Sequence, residues 1–212
     1  MPAAPAGIAM LFQMAMNAIV DQPLPYVDQL TARPLDKIEL IVIHATETPN
    51  LALARELALD IHYPESQTGN SGHYYIDLDG RIVQYVLGER VAHHVTGCNA
   101  SSIGIELVNA GRYPNWFHSR AQSWSVAYPE VQIMALQRLL EVLQRHLPNL
   151  RWIARHSDLD RRRIPAQDDP KARIARKLDP GATFPWVAVV TASGLQTIER
   201  CPDSPDLSSP SE

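Results

Sequence analysis

Cysteine is scarce in this sequence, whose 212 residues include only two, at positions 98 and 201. Two cysteines cannot form the disulfide framework that holds small secreted scaffolds together, and they cannot supply a zinc site with four thiolate ligands. A metal would therefore have to be held by histidine and carboxylate side chains. Histidine is well supplied, with eight residues, so the placement of the histidines is the informative feature.

An excess of positive charge is also missing. Nineteen Lys and Arg residues stand against 23 Asp and Glu, which gives a formal net charge of -4. Binding to a nucleic-acid backbone depends on a basic surface that releases counterions. We therefore predict that nucleic acid is not a partner of this protein.

Long apolar runs are missing as well. The most apolar stretch, residues 8–20, falls short of the ~20 residues that a helix needs to span a bilayer. No Lys or Arg precedes Arg33, whereas a secretory signal begins with a basic region. We predict no stable membrane span, and we favour a short amphipathic or buried helix here over the alternative, an export signal.

The composition, with 45% hydrophobic and 20% charged residues, is that of a globular chain with a real core. At ~150 residues per domain, the length favours a single domain, and we expect a monomer. We predict an N-terminal apolar extension or helix over residues 1–30, the domain over residues 31–190, and a C-terminal segment over residues 191–212. Residues 201–212 are rich in Ser, Pro and acidic residues, which is typical of a disordered tail.

Strand-like and helix-like patterns alternate along the body of the chain. Apolar, β-branched or alternating runs predict strands, and apolar residues at helical spacing predict helices. The predicted elements are a strand at 37–44, a helix at 51–62, a hairpin at 71–86 turning at Asp79-Gly80, a strand at 103–108, a helix at 128–147 and a strand at 150–154. The predicted fold class is α/β, a mixed central β-sheet flanked by helices.

Two histidines directly follow apolar strands: His44 after residues 37–43, and His156 after residues 150–155. Binding sites of α/β sheets collect at strand ends, where a polar side chain can leave the core while its backbone stays rigid. Taken alone, either residue is better interpreted as a hydrogen-bonded core histidine.

Carboxylates and a lysine complete the candidate site. Lys177 and Asp179 share a face of an extended segment, although a surface salt-bridged turn is the alternative. Glu106 lies on the opposite face from its apolar strand neighbours, beside Gly104, which we expect to leave open space; the alternative is an exposed glutamate on a half-buried sheet. Two imidazoles and a carboxylate with one open position form the ligand set of a catalytic zinc, and a nearby Glu and Lys supply a base and an oxyanion stabiliser.

Six motifs carry a family resemblance. They are IVIHATET, SGHYYIDLDGRIVQYV, Ala92-His93-His94, SIGIEL, ARHSDL and KLDPG, in this order. They resemble zinc-dependent N-acetylmuramoyl-L-alanine amidases of the AmpD-like type, over roughly residues 37–186. The fold of these enzymes is shared by peptidoglycan-recognition proteins and T7-type lysozyme. The implied substrates are peptidoglycan fragments (muropeptides), cut between the muramoyl lactyl group and L-alanine.

The resemblance implies roles for individual residues. His44, His156 and Asp179 would hold the zinc ion (Zn2+), Glu106 would act as general base or acid, and Lys177 would stabilise the transition state.

Further residues are assigned with the same resemblance in view. His73 and His94 lie in motif positions, where they would orient substrate. Cys98 is interpreted as an ordinary thiol, because three ligands already satisfy the metal. The histidines without an assigned role are His62, His93, His118 and His146.

Two segments are longer than the corresponding segments of compact members of this family. Residues 158–176 form a solvated loop or, alternatively, a lid that contacts the stem peptide. Residues 112–128 contain Trp116, Phe117, His118 and Trp124; we favour packing of these aromatics over stacking on a sugar.

The main alternative function is a non-catalytic peptidoglycan-binding recognition domain. Members of the family that only bind lack a zinc ligand, whereas this chain has all three. A lytic enzyme acting on whole walls has no wall-binding module or net positive charge in its favour. The missing basic signal region favours the cytoplasm and peptidoglycan recycling, and the apolar residues 8–20 leave a periplasmic or envelope location open.

Overall fold

The computed structural model of the chain describes residues 19–202. The strands, in chain order, are Ile19–Asp21 (β1), Leu40–Ala45 (β2), Tyr74–Ile76 (β3), Ile82–Gln84 (β4), Ser102–Leu107 (β5), Trp152–Arg155 (β6), Arg163–Pro165 (β7), Arg173–Ala175 (β8) and Gln196–Thr197 (β9). The α-helices are Leu51–Leu59 (α1), Glu130–His146 (α2), His156–Leu159 (α3) and Trp186–Ser193 (α4). Short 3-10 helices cover Val27–Gln29, Leu35–Lys37 and Asn99–Ser101.

Seven strands form one sheet in the order β1-β4-β3-β5-β2-β6-β9, and β7 pairs with β8 as a separate hairpin. In the large sheet, the β3–β4 pair is antiparallel and the other pairs are parallel. The β3–β4 turn contains Gly80, whose φ of 84° favours glycine, as the Asp79-Gly80 signal predicted. The mixed α/β fold predicted from the sequence is confirmed.

One face of the sheet carries the larger hydrophobic core. The side chains at alternate positions of β2 and β5 point to this face and pack against α2. They are Ile41, Ile43, Ile103, Ile105 and Leu107, and they meet Leu136, Leu139, Leu140 and Leu143 of the helix. Burying a leucine or isoleucine side chain contributes roughly 1.5–3 kcal/mol, so this face supplies much of the stability. The side chains on the opposite face of the same strands are not part of this core.

Residues 19–30 are built into the sheet and its packing. β1 adds to the sheet edge beside β4, and Tyr26 donates a hydrogen bond to the carbonyl of Ala58 over 2.7 Å. Leu24 and Leu30 are buried in a second cluster with residues of α1. Most of the helix predicted over residues 8–20 lies outside the described residues, and its last two residues belong to β1.

The interpretation of Cys98 as a free thiol is wrong. Cys98 forms a disulfide with Cys201, 103 positions away in the sequence, and their Cα atoms are 5.3 Å apart. Cys98 is fully buried against Leu40 and Val42, on the sheet face opposite the main core. β9 pairs with β6 and so carries the chain back to this region, a long-range effect that the sequence pattern could not show. Residues 203–212 of the predicted tail lie outside the described residues.

Within residues 19–202, no helix combines the length and the apolar character that crossing a bilayer demands.

Candidate metal centre

Three side chains predicted as metal ligands converge at the C-terminal ends of two neighbouring interior strands of the sheet. His44 lies near the end of β2, and His156 begins α3 directly after β6, the parallel neighbour of β2. Asp179 reaches the same place from the loop that follows β8. The Nδ1 atoms of the two histidines are 2.9 Å apart, and Oδ2 of Asp179 is 3.2 Å from the first and 3.0 Å from the second.

These three atoms fit a zinc ion. Ligand atoms at about 2.0–2.2 Å from a tetrahedral zinc lie roughly 3.3–3.6 Å from one another, and the separations found here are only a few tenths of an ångström shorter. The other carboxylate oxygen of Asp179, Oδ1, is buried and has no hydrogen-bond partner among the described residues. A buried carboxylate oxygen without a partner is costly, and a bound cation would compensate for it. Among the described residues, this is the cluster of three side chains that could hold a metal.

The protonation states also suit a cation, which needs neutral imidazoles and an ionised carboxylate. Burial, with the neighbouring His156, lowers the pKa of His44 to about 4. Burial works against ionisation of Asp179, but the neighbouring imidazoles of His156 and His44 hold the pKa of this carboxyl well below its usual range. Near neutral pH, His44 is therefore uncharged and Asp179 is an anion.

Glu106 is the direct neighbour of His44 across the sheet. The two residues are paired in the parallel register of β2 and β5, and Oε1 of Glu106 lies 3.8 Å from Nδ1 of His44. Gly72 leaves room for the side chain of Glu106, because a Cβ at position 72 would lie 2.8 Å from Cγ of Glu106. Burial, with the charge of Asp179, raises the pKa of Glu106 to about 8. The carboxyl is thus poised to exchange a proton near neutral pH, as a general base or acid requires.

The expectation that Gly104 leaves open space beside Glu106 is wrong. A Cβ at Gly104 would lie 2.6 Å from Cγ of His94, so the space over this glycine is filled by a histidine ring. Glycine is needed there because the His94 ring packs against the strand backbone with no room for a side chain.

A cavity of about 520 Å³ opens over these groups. The three candidate ligands, Glu106 and Lys177 all line it, whereas Leu178 does not. Lys177 and Asp179 therefore share one side of their segment, as the alternation predicted. The charge of Lys177 opposes the upward shift in the pKa of Glu106, which places the ammonium within electrostatic reach of that carboxyl.

His73 is not placed where it could contact substrate, contrary to the prediction. Its ring is fully buried, and its Nδ1 accepts a hydrogen bond from the backbone N–H of Gly104 over 3.0 Å. Its Nε2 lies 3.1 Å from the carbonyl of Arg90 and 2.8 Å from the guanidinium of Arg33. Burial, together with the charge of Arg33, holds the pKa of His73 well below its ordinary value. This histidine supports β5 from behind the site. His94, in contrast, lines the cavity.

Two residues that the sequence analysis missed join the long segments around the cavity. Arg112 forms a buried two-point ion pair with Glu47, over 2.7 and 2.8 Å. The same guanidinium donates to the carbonyls of Ala175 and Arg176, over 3.1 and 3.2 Å. Arg112 thus ties the 112–128 segment to the end of the 158–176 segment. Glu47 lies in the IVIHATET motif. Its place in that motif is the sequence feature from which it could have been identified.

The 158–176 segment is more ordered than a simple solvated loop, since it contains the β7–β8 hairpin. Asp160 accepts hydrogen bonds from Arg162 and Arg176, and Arg176 also lines the cavity. A contact between this segment and the stem peptide stays a prediction.

The aromatic residues of the 112–128 segment divide between two environments. Trp124 packs on the backbone at Gly181, next to Asp179 and Pro180. The Nε1 of Trp116 donates to the carbonyl of Glu47 over 2.8 Å, and Trp116 and Phe117 also line the cavity. Packing accounts for Trp124, and stacking of a sugar on the other two stays a prediction.

The sequence matches the model of the N-acetylmuramoyl-L-alanine amidase family over residues 34–182, which is more than half of the chain. The chain belongs to this family. No curated protein sequence matches it closely enough to count as a relative.

Solved structures of amidases share the fold. The endolysin amidase LysCS from Clostridium intestinale is similar with a TM-score of 0.59 and 20% identity, over 84% of this chain and 96% of that chain. AmpD is similar with a TM-score of 0.55 and 23% identity, over 82% and 94%. AmiD from E. coli, in complex with its substrate anhydro-N-acetylmuramic acid-L-Ala-D-gamma-Glu-L-Lys, gives 0.54 and 24%, over 78% and 60%. At these identities the similarity establishes an AmpD-like amidase fold.

Proposed function

We propose that this protein is a zinc-dependent amidase that cleaves the bond between the lactyl group of N-acetylmuramic acid, or its anhydro form, and L-alanine of the stem peptide. The observation that carries the proposal is the convergence of His44, His156 and Asp179 on one point, with an unpartnered carboxylate oxygen beside it. A buried glutamate adjoins this point at the wall of a cavity. Membership of the amidase family supports the reaction class.

The donor set fits zinc, and when bound, zinc lowers the pKa of a water molecule to about 7 and so supplies a hydroxide nucleophile at neutral pH. The position of the ligand cluster is well defined because His44 lies in β2 and His156 directly follows β6, the parallel neighbour of β2. The cavity is large enough to admit the lactyl–alanine junction of a muropeptide.

Glu106 is the proton carrier in this proposal. Its carboxylate accepts a proton from the attacking water and returns it to the amino group of the departing L-alanine peptide. Nearby positive charge favours the ionised form of a carboxyl group, so Lys177 and a bound cation both bring Glu106 toward the state that accepts a proton.

Lys177 supplies positive charge where the scissile carbonyl oxygen becomes negative. It shares the cavity wall with Asp179 and Glu106. A positive group fixed before the reaction stabilises the developing charge without reorganisation.

We further propose that the protein works in an oxidising compartment, the periplasm or the envelope, and not in the cytoplasm that the missing basic signal region favoured. The Cys98–Cys201 disulfide supports this location, because structural disulfides persist where thiols are not kept reduced. The substrates met there are polymeric peptidoglycan and its released fragments, and the protein takes part in peptidoglycan turnover. Mass spectrometry of protein isolated from cells after thiol alkylation tests this: two alkylated cysteines would contradict it.

The activity is tested with the purified protein and the muropeptide N-acetylmuramoyl-L-Ala-D-γ-Glu-L-Lys. We expect about one zinc per chain and release of a peptide with an N-terminal alanine, abolished by a chelator and restored by zinc. Asp179→Asn should lose both zinc and activity. The matched control is Asp36→Asn, because Asp36 is exposed in the 3-10 helix Leu35–Lys37 and is not one of the candidate ligands.

The same experiment separates the enzyme from a recognition domain without catalysis. Tight muropeptide binding with no chelator-sensitive cleavage would contradict the amidase and favour the binding domain. Full activity and an intact zinc content in Asp179→Asn would contradict the ligand assignment.

A further inference from the structure

A chain of hydrogen-bonded polar groups leads from the candidate ligand His44 to the backbone carbonyl of Cys98. Nε2 of His44 lies 3.0 Å from Nδ1 of His94, and Nε2 of His94 lies 3.2 Å from the hydroxyl oxygen of Ser102. That hydroxyl donates to the backbone carbonyl of Cys98 over 2.7 Å. The chain therefore ends on a group that can only accept a hydrogen bond.

This end point determines the direction of every bond in the chain. The carbonyl of Cys98 takes the single hydroxyl proton of Ser102, so the hydroxyl oxygen must accept from Nε2–H of His94. A neutral His94 with its proton on Nε2 has a bare Nδ1, which must accept from Nε2–H of His44. His44 is left with a bare Nδ1. That nitrogen is the one that faces His156 and Asp179.

The His94 ring is held in place on several sides. It packs on Gly104, where a Cβ would lie 2.7 Å from its Nδ1. The backbone N–H groups of His94 and Val95 both donate to the side-chain oxygen of Asn99, over 3.0 and 2.8 Å. The rings of His94 and His44 meet edge to face, with their centroids 5.1 Å apart. The ring is thus fixed without help from a ligand in the cavity.

We propose that His94 is a positioning residue for the metal centre, which with Ser102 and the Cys98 carbonyl holds His44 in the tautomer and orientation that present Nδ1 to the ion. The inference rests on the proposed zinc site and deepens it. It replaces the sequence-based role of His94, because a substrate contact needs a free ring nitrogen and both nitrogens are already engaged. Supporting groups of this kind typically change metal affinity about 10–100-fold when removed.

Two variants of similar size separate the hydrogen bond from the volume of the side chain. His94→Leu removes the acceptor for His44, and His94→Asn can place an amide oxygen near the former Nδ1. Zinc affinity is measured without substrate, by competition with a chromophoric chelator. We expect His94→Leu to bind zinc about 10–100-fold more weakly than the wild type and His94→Asn to recover most of the loss. Ser102→Ala, which removes only the next link, should weaken zinc binding by a smaller factor.

His93→Leu is the matched control, since His93 also lines the cavity and its Nδ1 has no hydrogen-bond partner among the described residues. Its zinc affinity should stay at the wild-type level. Circular dichroism of the metal-free variants verifies that each one folds. If His94→Leu does not fold, the zinc affinities of Ser102→Ala and His93→Leu are compared instead. Weaker zinc binding by Ser102→Ala supports the positioning role, and equal affinities overturn it.

Nitrogen-15 NMR of the metal-free wild type gives a second readout that needs no variant. Both His44 and His94 should carry their proton on Nε2. A proton on Nδ1 of His94 would reverse the donor and acceptor roles in these hydrogen bonds and overturn the proposal.

The outcomes also separate this inference from the proposed function. A wild type that binds no zinc contradicts both. A wild type that binds zinc, with unchanged affinity in His94→Leu and Ser102→Ala, overturns only the positioning role. If His94→Leu keeps its zinc but loses muropeptide cleavage, His94 is a substrate contact as the sequence analysis predicted.

Discussion

His44 and Glu106 lie side by side on adjacent parallel strands, with 3.8 Å between Nδ1 of the histidine and Oε1 of the glutamate. Both side chains project from the sheet face opposite the main core, because they occupy alternate positions to the isoleucines buried beneath α2. The distance between the candidate metal ligand and the candidate proton carrier is therefore set by the hydrogen-bond register of a central sheet. Sites built on strands hold their geometry better than sites built on loops.

Replacing Lys177 tests the electrostatic part of the mechanism. We expect Lys177→Ala to raise the barrier by about 2.7–4 kcal/mol, roughly a 10²–10³-fold fall in kcat, with zinc content unchanged. Lys177→Arg should recover only part of the rate, because the compact ammonium and the planar guanidinium place their charge differently. Lys171→Ala, at an exposed lysine of the β7–β8 connection, is the control. A kcat of Lys177→Ala equal to that of this control would contradict the role.

Glu106 should make the stability of the metal-free protein depend on pH. Burial and Asp179 raise its pKa from the ordinary 4.5 to about 8, so between these values the folded state keeps a proton that the unfolded chain has released. The free-energy contribution is complete below about pH 4.5 and is lost as the pH rises toward 8. Glu106→Gln, neutral throughout, should therefore gain stability relative to the wild type from pH 5 to pH 8.5.

Urea unfolding of the metal-free proteins at both pH values measures this difference. Glu141→Gln, at an exposed position of α2, controls for the general effect of removing one negative charge. A stability difference between Glu106→Gln and the wild type that does not change with pH would show that Glu106 is ionised in the folded protein at both values.

The Glu47–Arg112 pair should stabilise the two segments around the cavity. The Arg112 side chain is 1% exposed, so removing either partner leaves a buried charge without its counterion. We expect Arg112→Leu to lower the free energy of unfolding by about 3–5 kcal/mol, and to make residues 112–128 and 158–176 more sensitive to limited proteolysis.

The control for this pair is Arg155→Ala, which removes a more exposed partner of Asp158 and should cost about 0–1 kcal/mol. The double variant Glu47→Leu/Arg112→Leu should lose less stability than the sum of the two single variants, because no unpaired charge remains. Additive losses would mean that the two side chains act independently.

The disulfide should contribute to stability rather than to chemistry. Cys201→Ser opens the link between the Cys98 region and the strand-β9 end of the chain. We expect a loss of about 2–4 kcal/mol in the free energy of unfolding and unchanged zinc stoichiometry. The wild type under reducing conditions should match the variant, and a variant as stable as the oxidised wild type would contradict the prediction.

Local sequence patterns predicted much of the architecture and the central chemistry. The alternation in residues 71–86 with Asp79-Gly80 predicted the β3–β4 hairpin, and the helical spacing in residues 128–147 predicted α2. His44 and His156 were singled out because each follows an apolar strand, and the i, i+2 spacing put Lys177 and Asp179 on one side. These inferences succeeded because side-chain direction within one strand or helix follows from the local backbone period.

The tertiary structure decided which residues separated in sequence come together. Nothing local to Gly104 indicates that a histidine ring from the loop before β5 fills the space above it, or that the ring of His73 is buried behind β5. The pairing of Cys98 with Cys201 depends on β9 returning to the edge of the sheet. Glu47 and Arg112 meet across 65 positions. Such contacts are set by the packing of whole elements, and the sequence period within each element carries no information about its partner.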